Sequence, residues 1–178
     1  MHRSLRRSLL IAAICAALVG AFSAAAPSGD AAAPLAAEGE RADRILVEKS
    51  KRRMTLWREG RLLRAYDIGL GFSPVGDKSM EGDGRTPEGV YRIDRRNAAS
   101  AYHLSLGLNY PRPDQRRKAA RKGRDPGGDI FIHGQPNALP SGLTIPGDWT
   151  AGCIAVDNAE MEEIWALVPV GTVVEVRP

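Results

Sequence analysis

The chain has 178 residues, with 25 lysines and arginines against 21 aspartates and glutamates, which gives a formal net charge of +4. It shows no internal repeat, no second apolar span after the N-terminal one and no cluster of metal-ligating residues. These features argue against a repeat protein, a polytopic membrane protein and a metal site. A chain of this length can bury a hydrophobic core without disulfides.

The N-terminus has the pattern of an export signal. Arg3, Arg6 and Arg7 form a basic head. An apolar stretch follows from Leu9 to Phe22, and small residues occupy positions 23–26. About fourteen apolar residues are short for a membrane helix, which needs about twenty. We therefore predict a cleaved signal peptide over residues 1–26 and a location in the periplasm or cell envelope, with membrane contact only through an uncleaved signal.

Cleavage of the signal peptide would change both the net charge and the number of cysteines. It removes three basic residues, so that 22 remain against the 21 acids, and it removes Cys15. The positive net charge is therefore partly a feature of the export signal. Export also argues against a nucleic-acid partner. Residues 27–43 are rich in alanine, glycine, proline and acids and are predicted to be a flexible linker. Residues 44–178 are predicted to form one domain.

Strand patterns dominate this domain. Residues 44–48 predict a first strand, and Met54–Trp57 and Leu62–Ile68 predict a hairpin across the dipeptide Glu59-Gly60. The segment 69–89 is too rich in glycine and proline for regular structure. Further strands are predicted at residues 90–93, 102–106, 129–132, 153–156 and 172–176. The pattern is typical of a mainly β fold, a β-sandwich or flattened barrel.

Two short helices interrupt the strands. Asp114 is expected to cap a helix over residues 115–122 that ends at Gly123. Asp157 and Glu160 form an acidic analogue of a capping box ahead of a second helix. The apolar residues of that second helix recur at helical spacing and precede Pro169: Met161, Ile164, Trp165 and Leu167.

Cys153 is the one cysteine left after cleavage of the signal. A lone thiol in an oxidising compartment has no partner for an internal disulfide, so a chemical role becomes a serious hypothesis beside that of a small buried hydrophobe. Gly152 before it allows a substrate carbonyl to approach the backbone. The N–H groups of Gly152 and Cys153 are natural donors to an oxyanion.

A nucleophilic cysteine needs a histidine to take its proton, because a free thiol is only a few per cent ionised at neutral pH. His133 lies twenty residues before Cys153 at the end of a predicted strand. His2 leaves with the signal, and His103 is expected within a strand. His133 is therefore the predicted catalytic partner, although a lone histidine is more often structural.

The order of His133 and Cys153 in the chain narrows the possible classes of cysteine enzyme. Papain-like endopeptidases carry cysteine before histidine, whereas here histidine comes first. Sortases share the order but separate the two residues widely and use an arginine soon after the cysteine. This chain has no arginine after Cys153 until Arg177.

The chain resembles the L,D-transpeptidase catalytic domains (YkuD-like) from about Arg44 to Arg177. The resemblance is carried by Ile-His-Gly at 132–134, by Thr-Ala-Gly-Cys-Ile at 150–154 and by Gly-Asp-Gly-Arg-Thr-Pro-Glu-Gly at 82–89. The third motif looks like the Thr-Pro-x-Gly turn of the family, in the version found in a Gram-negative branch. In this order the three motifs are specific.

The resemblance implies a cysteine nucleophile that acts on peptidoglycan stem peptides. Cys153 would attack the carbonyl of the third, diamino-acid residue and form a thioester, which an amine from a neighbouring stem resolves. His133 would be the base and then the acid, and the carbonyl of Gly134 would orient its imidazole. Gly152 and Cys153 would form the oxyanion site. No metal or organic cofactor is implied, and a monomer is expected.

The sequence departs from the family pattern at two positions. The family often has a histidine before the glycine and an arginine after the Cys-hydrophobic step, where this chain has Ala151 and Ala155. Asp157 or Asn158 would have to replace the arginine structurally. The variant looks like a sub-branch in which some members hydrolyse a peptide link to peptidoglycan. Transfer, hydrolysis as an L,D-carboxypeptidase or amidase, and a non-catalytic wall-binding module therefore all stay open.

Other polar residues are candidates for substrate binding. Trp149 could stack on the substrate, Thr150 belongs to the cysteine motif, and Gln135 and Asn137 could hydrogen-bond a stem peptide or simply form turns. Seven basic residues against one acid occupy 112–124. They form either a solvated helix face or a lid that attracts the carboxylates of stem peptides.

Overall fold

The computed structural model describes residues 40–178. The predicted signal peptide and residues 27–39 of the predicted linker lie outside the described residues. The strands are β1 (Arg44–Glu48), β2 (Arg53–Arg58), β3 (Arg61–Asp67), β4 (Gly89–Asn97), β5 (Ser105–Leu108), β6 (Phe131–His133), β7 (Ile154–Ala155) and β8 (Val173–Arg177). The helices are α1 (Pro113–Ala120) and α2 (Asn158–Leu167), and a 3-10 turn, Lys49–Lys51, joins β1 to β2.

The eight strands form one mixed sheet in the order β3-β2-β1-β8-β4-β5-β6-β7. β1 pairs in parallel with β8, and β6 pairs in parallel with β7, while the other neighbours are antiparallel. Isolated bridges join Gly69 to Ala155 and Gly71 to Thr150, so the chain after β3 returns to the far edge of the sheet. The sheet is thereby curled into a half-barrel, which confirms the mainly β fold with two short helices.

The core is formed by buried side chains of the strands and of α2. β1 alternates half-buried and buried residues, with Ile45 and Val47 inside. α2 contributes the side chains whose helical spacing the sequence showed: Met161, Ile164 and Leu167 are all buried. Its predicted capping box is confirmed, because Glu160 N donates to Asp157 Oδ1 at 2.7 Å and Asp157 N donates to the Glu160 carboxylate at 3.1 Å.

The predicted hairpin is also confirmed. β2 and β3 pair in antiparallel fashion across Glu59 and Gly60, which have φ angles of 50° and 79°. Two consecutive positive φ values are the signature of the tight hairpin turn whose twist matches that of the strands. Gly60 adopts such an angle freely, and Glu59 adopts it as the first residue of the turn.

The structure corrects two predicted strands. The strand expected at 102–106 begins only at Ser105, because His103 has a φ of 62° and its N–H is bound by Asn137 Oδ1 at 2.8 Å. The strand expected at 129–132 runs instead from Phe131 to His133, because Asp129 has a φ of 52°. A left-handed residue cannot continue a pleated strand. Both changes occur beside the site described below.

The first helix and the cysteine strand also differ from expectation. α1 begins at Pro113, so Asp114 lies in its first turn and is not its cap, and the helix ends at Ala120. Proline suits the first helical position because the N–H it lacks would have no partner there. The strand expected at 153–156 is reduced to Ile154 and Ala155, so Cys153 lies just before β7.

The contacts of the domain begin before Arg44. Ala42 is buried, and its N–H donates to the carbonyl of Leu167 at 2.9 Å. Glu40 forms an ion pair with Arg61. Within residues 40–178, no helix is both long enough and apolar enough to cross a membrane.

Candidate active site

His133 and Cys153 come from neighbouring strands at one edge of the sheet. β6 and β7 are paired so that His133 stands opposite Ala155. Carried back by two residues, the same register sets Phe131 beside Cys153. Side chains two positions apart on a strand point to the same face. His133 and Cys153 are therefore diagonal neighbours on one face of the strand pair.

A cavity of about 530 Å³ opens over that face. Four of the residues that the sequence singled out line it, namely Cys153, His133, Trp149 and Thr150. The remaining wall comes from residues that the sequence analysis did not select: Asn97, Ser100, Ala101, Tyr102, Ser105, Asp129, Phe131 and Ala151.

The imidazole of His133 is buried and held in one orientation. Its Nδ1 lies 2.7 Å from the main-chain oxygen of Gly134. A carbonyl can only accept, so Nδ1 carries the proton and Nε2 is left as the basic nitrogen. Burial lowers the pKa of His133, against a smaller opposing effect of the bond to Gly134. The ring is therefore neutral at pH 7 and able to accept a proton.

The thiol of Cys153 is half-buried and lies between two main-chain groups. Sγ accepts from Phe131 N at 3.4 Å and donates to the carbonyl oxygen of Asp129 at 3.4 Å. Burial raises the pKa of Cys153, against a lowering by the N–H of Phe131 and with a further rise from the Asp129 carboxylate. At neutral pH the pair is thus a neutral thiol and a neutral imidazole, and the thiol needs a base to become a nucleophile.

The turn before Cys153 depends on glycine. Gly152 has a φ of 138°, and a Cβ there would lie 2.7 Å from the carbonyl oxygen of Arg85. Thr150 is buried and closes the turn: its Oγ1 accepts from Gly152 N at 3.1 Å and donates to Cys153 O at 2.8 Å. Among the described residues, the N–H of Cys153 has no acceptor, whereas that of Gly152 is engaged. Of the two predicted oxyanion donors, the Cys153 N–H is the open one.

The glycine-rich loop 82–89 supports this turn from below. Thr86 is fully buried, and its Oγ1 accepts from Gly71 N at 3.1 Å. Gly71 in turn packs against Gly152, since a Cβ at Gly71 would lie 3.1 Å from the Cα of Gly152. An ion pair at 2.9 Å between the buried side chains of Lys78 and Asp83 stabilises the loop. The motif at 82–89 therefore supports the turn before Cys153.

Two aromatic rings enclose the imidazole. The ring centroid of Tyr102 lies 4.6 Å from that of His133, and that of Trp149 lies 5.7 Å away. The indole N–H of Trp149 is buried without a hydrogen-bond partner among residues 40–178. Trp149 was a candidate from sequence, but Tyr102 was placed in a strand. Tyr102 lies instead in the loop before β5, where its N–H donates to Ser100 Oγ at 3.0 Å.

Gln135 and Asn137 do not reach the cavity. Gln135 is buried, donates from Nε2 to Val156 O at 2.7 Å and accepts from Ile145 N at 2.9 Å. Asn137 uses its amide on Ser100 O and on the N–H of His103, and thereby anchors the loop that carries Tyr102. Both side chains bind backbone here, as the turn-forming interpretation expects.

Asn158 and Asp157 both have structural contacts next to the site. Asn158 Oδ1 accepts from Gln135 N at 2.7 Å, and it fills the space that a Cβ on Gly134 would need. Asp157 caps α2. Asn158 thus fixes the segment that follows His133.

The basic segment does not cover the thiol. None of residues 112–124 lines the cavity around Cys153, and Arg117, Lys118 and Arg121 are exposed. Arg116 lines a neighbouring groove of about 470 Å³ that shares Asp129 with the cavity. The residues that the structure describes hold no group of three or more His, Cys, Asp or Glu side chains placed to bind a metal ion.

Comparisons with known proteins identify the family of this domain. The family model of the YkuD L,D-transpeptidase catalytic domain matches residues 42–176. Among solved structures, the chain is similar to the helical cell shape determining protein Pgp2 from Campylobacter jejuni, with 26% identity and a TM-score of 0.57 over 84% of this chain and 52% of that one. A comparison with curated proteins gives no match.

Two further structures share the fold. Bd1075 from Bdellovibrio bacteriovorus is 20% identical, with a TM-score of 0.52 over 79% of this chain and 49% of that one. An L,D-transpeptidase from Xylanimonas cellulosilytica is 16% identical, with a TM-score of 0.50 over 79% and 63%. The chain spans about half the length of the Pgp2 and Bd1075 chains. With the family model matched over nearly the whole described domain, the chain belongs to the family of YkuD L,D-transpeptidase catalytic domains.

Proposed function

We propose that this protein is a cysteine-dependent L,D-transpeptidase that acts on peptidoglycan stem peptides in the cell envelope. The observation that carries the proposal is the diagonal placement of His133 and Cys153 on one wall of the cavity, with the imidazole fixed through Gly134. Membership in the family of L,D-transpeptidase catalytic domains supports the substrate class.

The first half-reaction forms a thioester. Sγ of Cys153 attacks the carbonyl carbon of the diamino-acid residue while Nε2 of His133 takes the thiol proton. The same proton then passes to the nitrogen of the departing terminal D-amino acid as its peptide bond breaks. A positioned base contributes about 10²–10⁴-fold to such a step. The Gly134 carbonyl stabilises the imidazolium that forms in between.

The second half-reaction releases the acyl group. An amine of a neighbouring stem attacks the thioester carbon, His133 takes a proton from that amine, and the thiol is regenerated. In both steps the oxygen of the tetrahedral intermediate carries negative charge. The N–H of Cys153 has no acceptor among the described residues and supplies one donor for that oxygen.

A hydrolytic variant uses the same acyl-enzyme. If water replaces the acceptor amine, the protein acts as an L,D-carboxypeptidase or as an amidase on a link to peptidoglycan. The two reactions share every residue of the first half-reaction, and they differ in their products. A wall-binding module without catalysis would need neither the thiol nor the imidazole.

Product analysis on purified tetrapeptide muropeptides tests the proposal. Mass spectrometry after incubation with the full chain is expected to show crosslinked dimers or exchanged terminal D-amino acids, and the products should disappear with Cys153→Ala. Tripeptides alone would indicate hydrolysis. Arg53→Ala, at an exposed strand position, is the matched control and is expected to behave like the wild type. Product formation that survives Cys153→Ala would contradict the proposal.

A further inference from the structure

The sulfur of Cys153 is held by the main chain of one short segment. Its two hydrogen bonds go to the carbonyl of Asp129 and to the N–H of Phe131. The direction of the thiol therefore depends on the backbone conformation of residues 129–131. This is the point in the chain where the predicted strand fails to form.

Asp129 holds a backbone conformation that costs energy in a residue with a side chain. Its φ is 52°, in the left-handed region that favours glycine. Its neighbours on the N-terminal side are Gly127 and Gly128, which supply no side chain to fix it. A non-glycine residue persists in this region only where surrounding contacts hold it there. The side chain of Asp129 is 87% exposed, so packing does not hold it.

Arg95 supplies the contact. Its Nη2 donates to Asp129 Oδ1 at 2.8 Å, and its guanidinium carbon lies 4.5 Å from the ring centroid of Phe131. One side chain thus touches both residues whose main chains hold the sulfur. Arg95 is itself fixed from the other side, because its Nη1 donates to both carboxylate oxygens of Asp94, at 2.9 and 3.1 Å.

The sheet is shaped to let Arg95 reach this far. The register of β4 against β5 shifts between Ile93 and Arg95. Across the strand pair, Gly107 leaves the surface open, and a Cβ there would lie 2.6 Å from Cγ of Arg95. Any larger residue at 107 would displace the arginine. The path of Arg95 across the sheet is therefore built into two strands.

We propose that Arg95 is a positioning residue for the Cys153 thiol, which it aims into the cavity by clamping Asp129 and Phe131. The inference rests on the proposed function only in taking Cys153 as the nucleophile. Without Arg95, Asp129 relaxes from its left-handed conformation, its carbonyl turns away, and the Phe131 N–H no longer meets the sulfur. Arg95 acts through these two residues and does not itself touch the substrate carbonyl.

The test is a set of variants in the full chain, compared by turnover of tetrapeptide muropeptides and by the rate of Cys153 alkylation with iodoacetamide at one fixed pH. Arg95→Ala is expected to lower kcat on the order of tenfold to a hundredfold with little change in KM, because a displaced nucleophile slows chemistry and not binding. Alkylation is expected to slow as well, since the N–H of Phe131 stabilises the thiolate.

A rescue separates positioning from packing. Glycine adopts the φ of Asp129 without help, so Asp129→Gly removes the dependence of this conformation on Arg95, and Asp129→Gly alone is the reference for the double variant. In the double variant Arg95→Ala/Asp129→Gly, most of the lost kcat should return. Arg95→Lys, which keeps a charge near Asp129, should fall between the wild type and Arg95→Ala. Arg92→Ala, an exposed position on the same strand, is the matched control.

The outcomes are distinguishable from failure of the proposed function. If the wild type makes no product, the alkylation rates alone decide on Arg95. Equal alkylation and turnover in Arg95→Ala and Arg92→Ala would overturn the positioning role. So would a double variant that stays as slow as Arg95→Ala, because the arginine would then act by packing on Phe131 and not through Asp129.

Discussion

Tyr102 stacks on the imidazole of His133, with the ring centroids 4.6 Å apart and the planes inclined by 37°. The tyrosine is itself 40% exposed. It therefore covers a buried histidine on one side and faces the cavity mouth on the other. This contact and the neutral imidazole together determine how the reaction rate should depend on pH.

The first prediction concerns the pH dependence of the base. Burial lowers the pKa of His133, so the neutral imidazole survives to lower pH than that of a free histidine. The midpoint of the acid limb of kcat/KM is expected below pH 6.5, the ordinary pKa of a histidine. A profile of kcat/KM against pH measures it. An acid limb above pH 6.5 would contradict the neutral pair.

The second prediction concerns Tyr102. Tyr102→Ala exposes the imidazole to water, which weakens the burial that depresses its pKa. The acid limb is therefore expected to move up toward pH 6.5, and kcat to fall. Tyr102→Phe keeps the ring and is the control, because the ring contact and not the hydroxyl covers His133. The two pH profiles, recorded side by side, check this. If both variants shift equally, the stacking explanation fails.

The third prediction concerns the cysteine turn. Gly152→Ala forces a side chain onto a φ of 138° and onto the carbonyl of Arg85. It is expected to destabilise the fold by more than about 2 kcal/mol and to abolish turnover. Gly142→Ala is the control: its φ is 81°, but nothing lies within 4 Å of the added carbon. It should cost only about 1 kcal/mol. Urea unfolding measures both, and equal losses would exclude the contact with Arg85.

The fourth prediction concerns the buried ion pair under the site. Burial opposes ionisation of Asp83, but the N–H of Ser79 and the ammonium of Lys78 hold its pKa at about 2. A lowered pKa stabilises the fold above the pKa of the unfolded state, about 3.9, and that stability is lost as the pH falls toward 2. Asp83→Asn leaves a buried ammonium unpaired and is expected to cost about 3–5 kcal/mol at pH 7.

The matched control for this ion pair is the double variant Lys78→Met/Asp83→Asn. It removes both charges and should recover much of the stability, because no buried charge is then left without a partner. Denaturant midpoints at pH 7 and at pH 3 measure the effect. A double variant as unstable as Asp83→Asn would show that the carboxylate acts through its backbone bonds alone.

Much of the fold could be predicted from local patterns. The alternation of Ile45 and Val47 specified a strand, the Glu59-Gly60 dipeptide specified a hairpin, and Asp157 with Glu160 specified a helix start. Each of these signals depends on residues close together in sequence. The motifs around His133 and Cys153 likewise pointed to a thiol-based site and to its family.

The tertiary structure decided what distant residues do. Asp129 and His103 leave their predicted strands for left-handed conformations, in which Arg95 contacts the Asp129 carboxylate and Asn137 accepts from the His103 N–H. Gln135 and Asn137 were candidates for binding a stem peptide or for forming turns, and the tertiary structure gives their amides backbone partners, at Val156 O and Ser100 O.

The sequence by itself therefore determined which reactive groups the domain carries: a cysteine, a histidine twenty residues before it and glycines where the backbone must turn. Only the folded sheet decided which groups surround them. Tyr102 covers His133, and Arg95 reaches Asp129 from another strand. The reason is physical: strand registers and loop conformations are set by the free energy of long-range packing, which no local pattern contains.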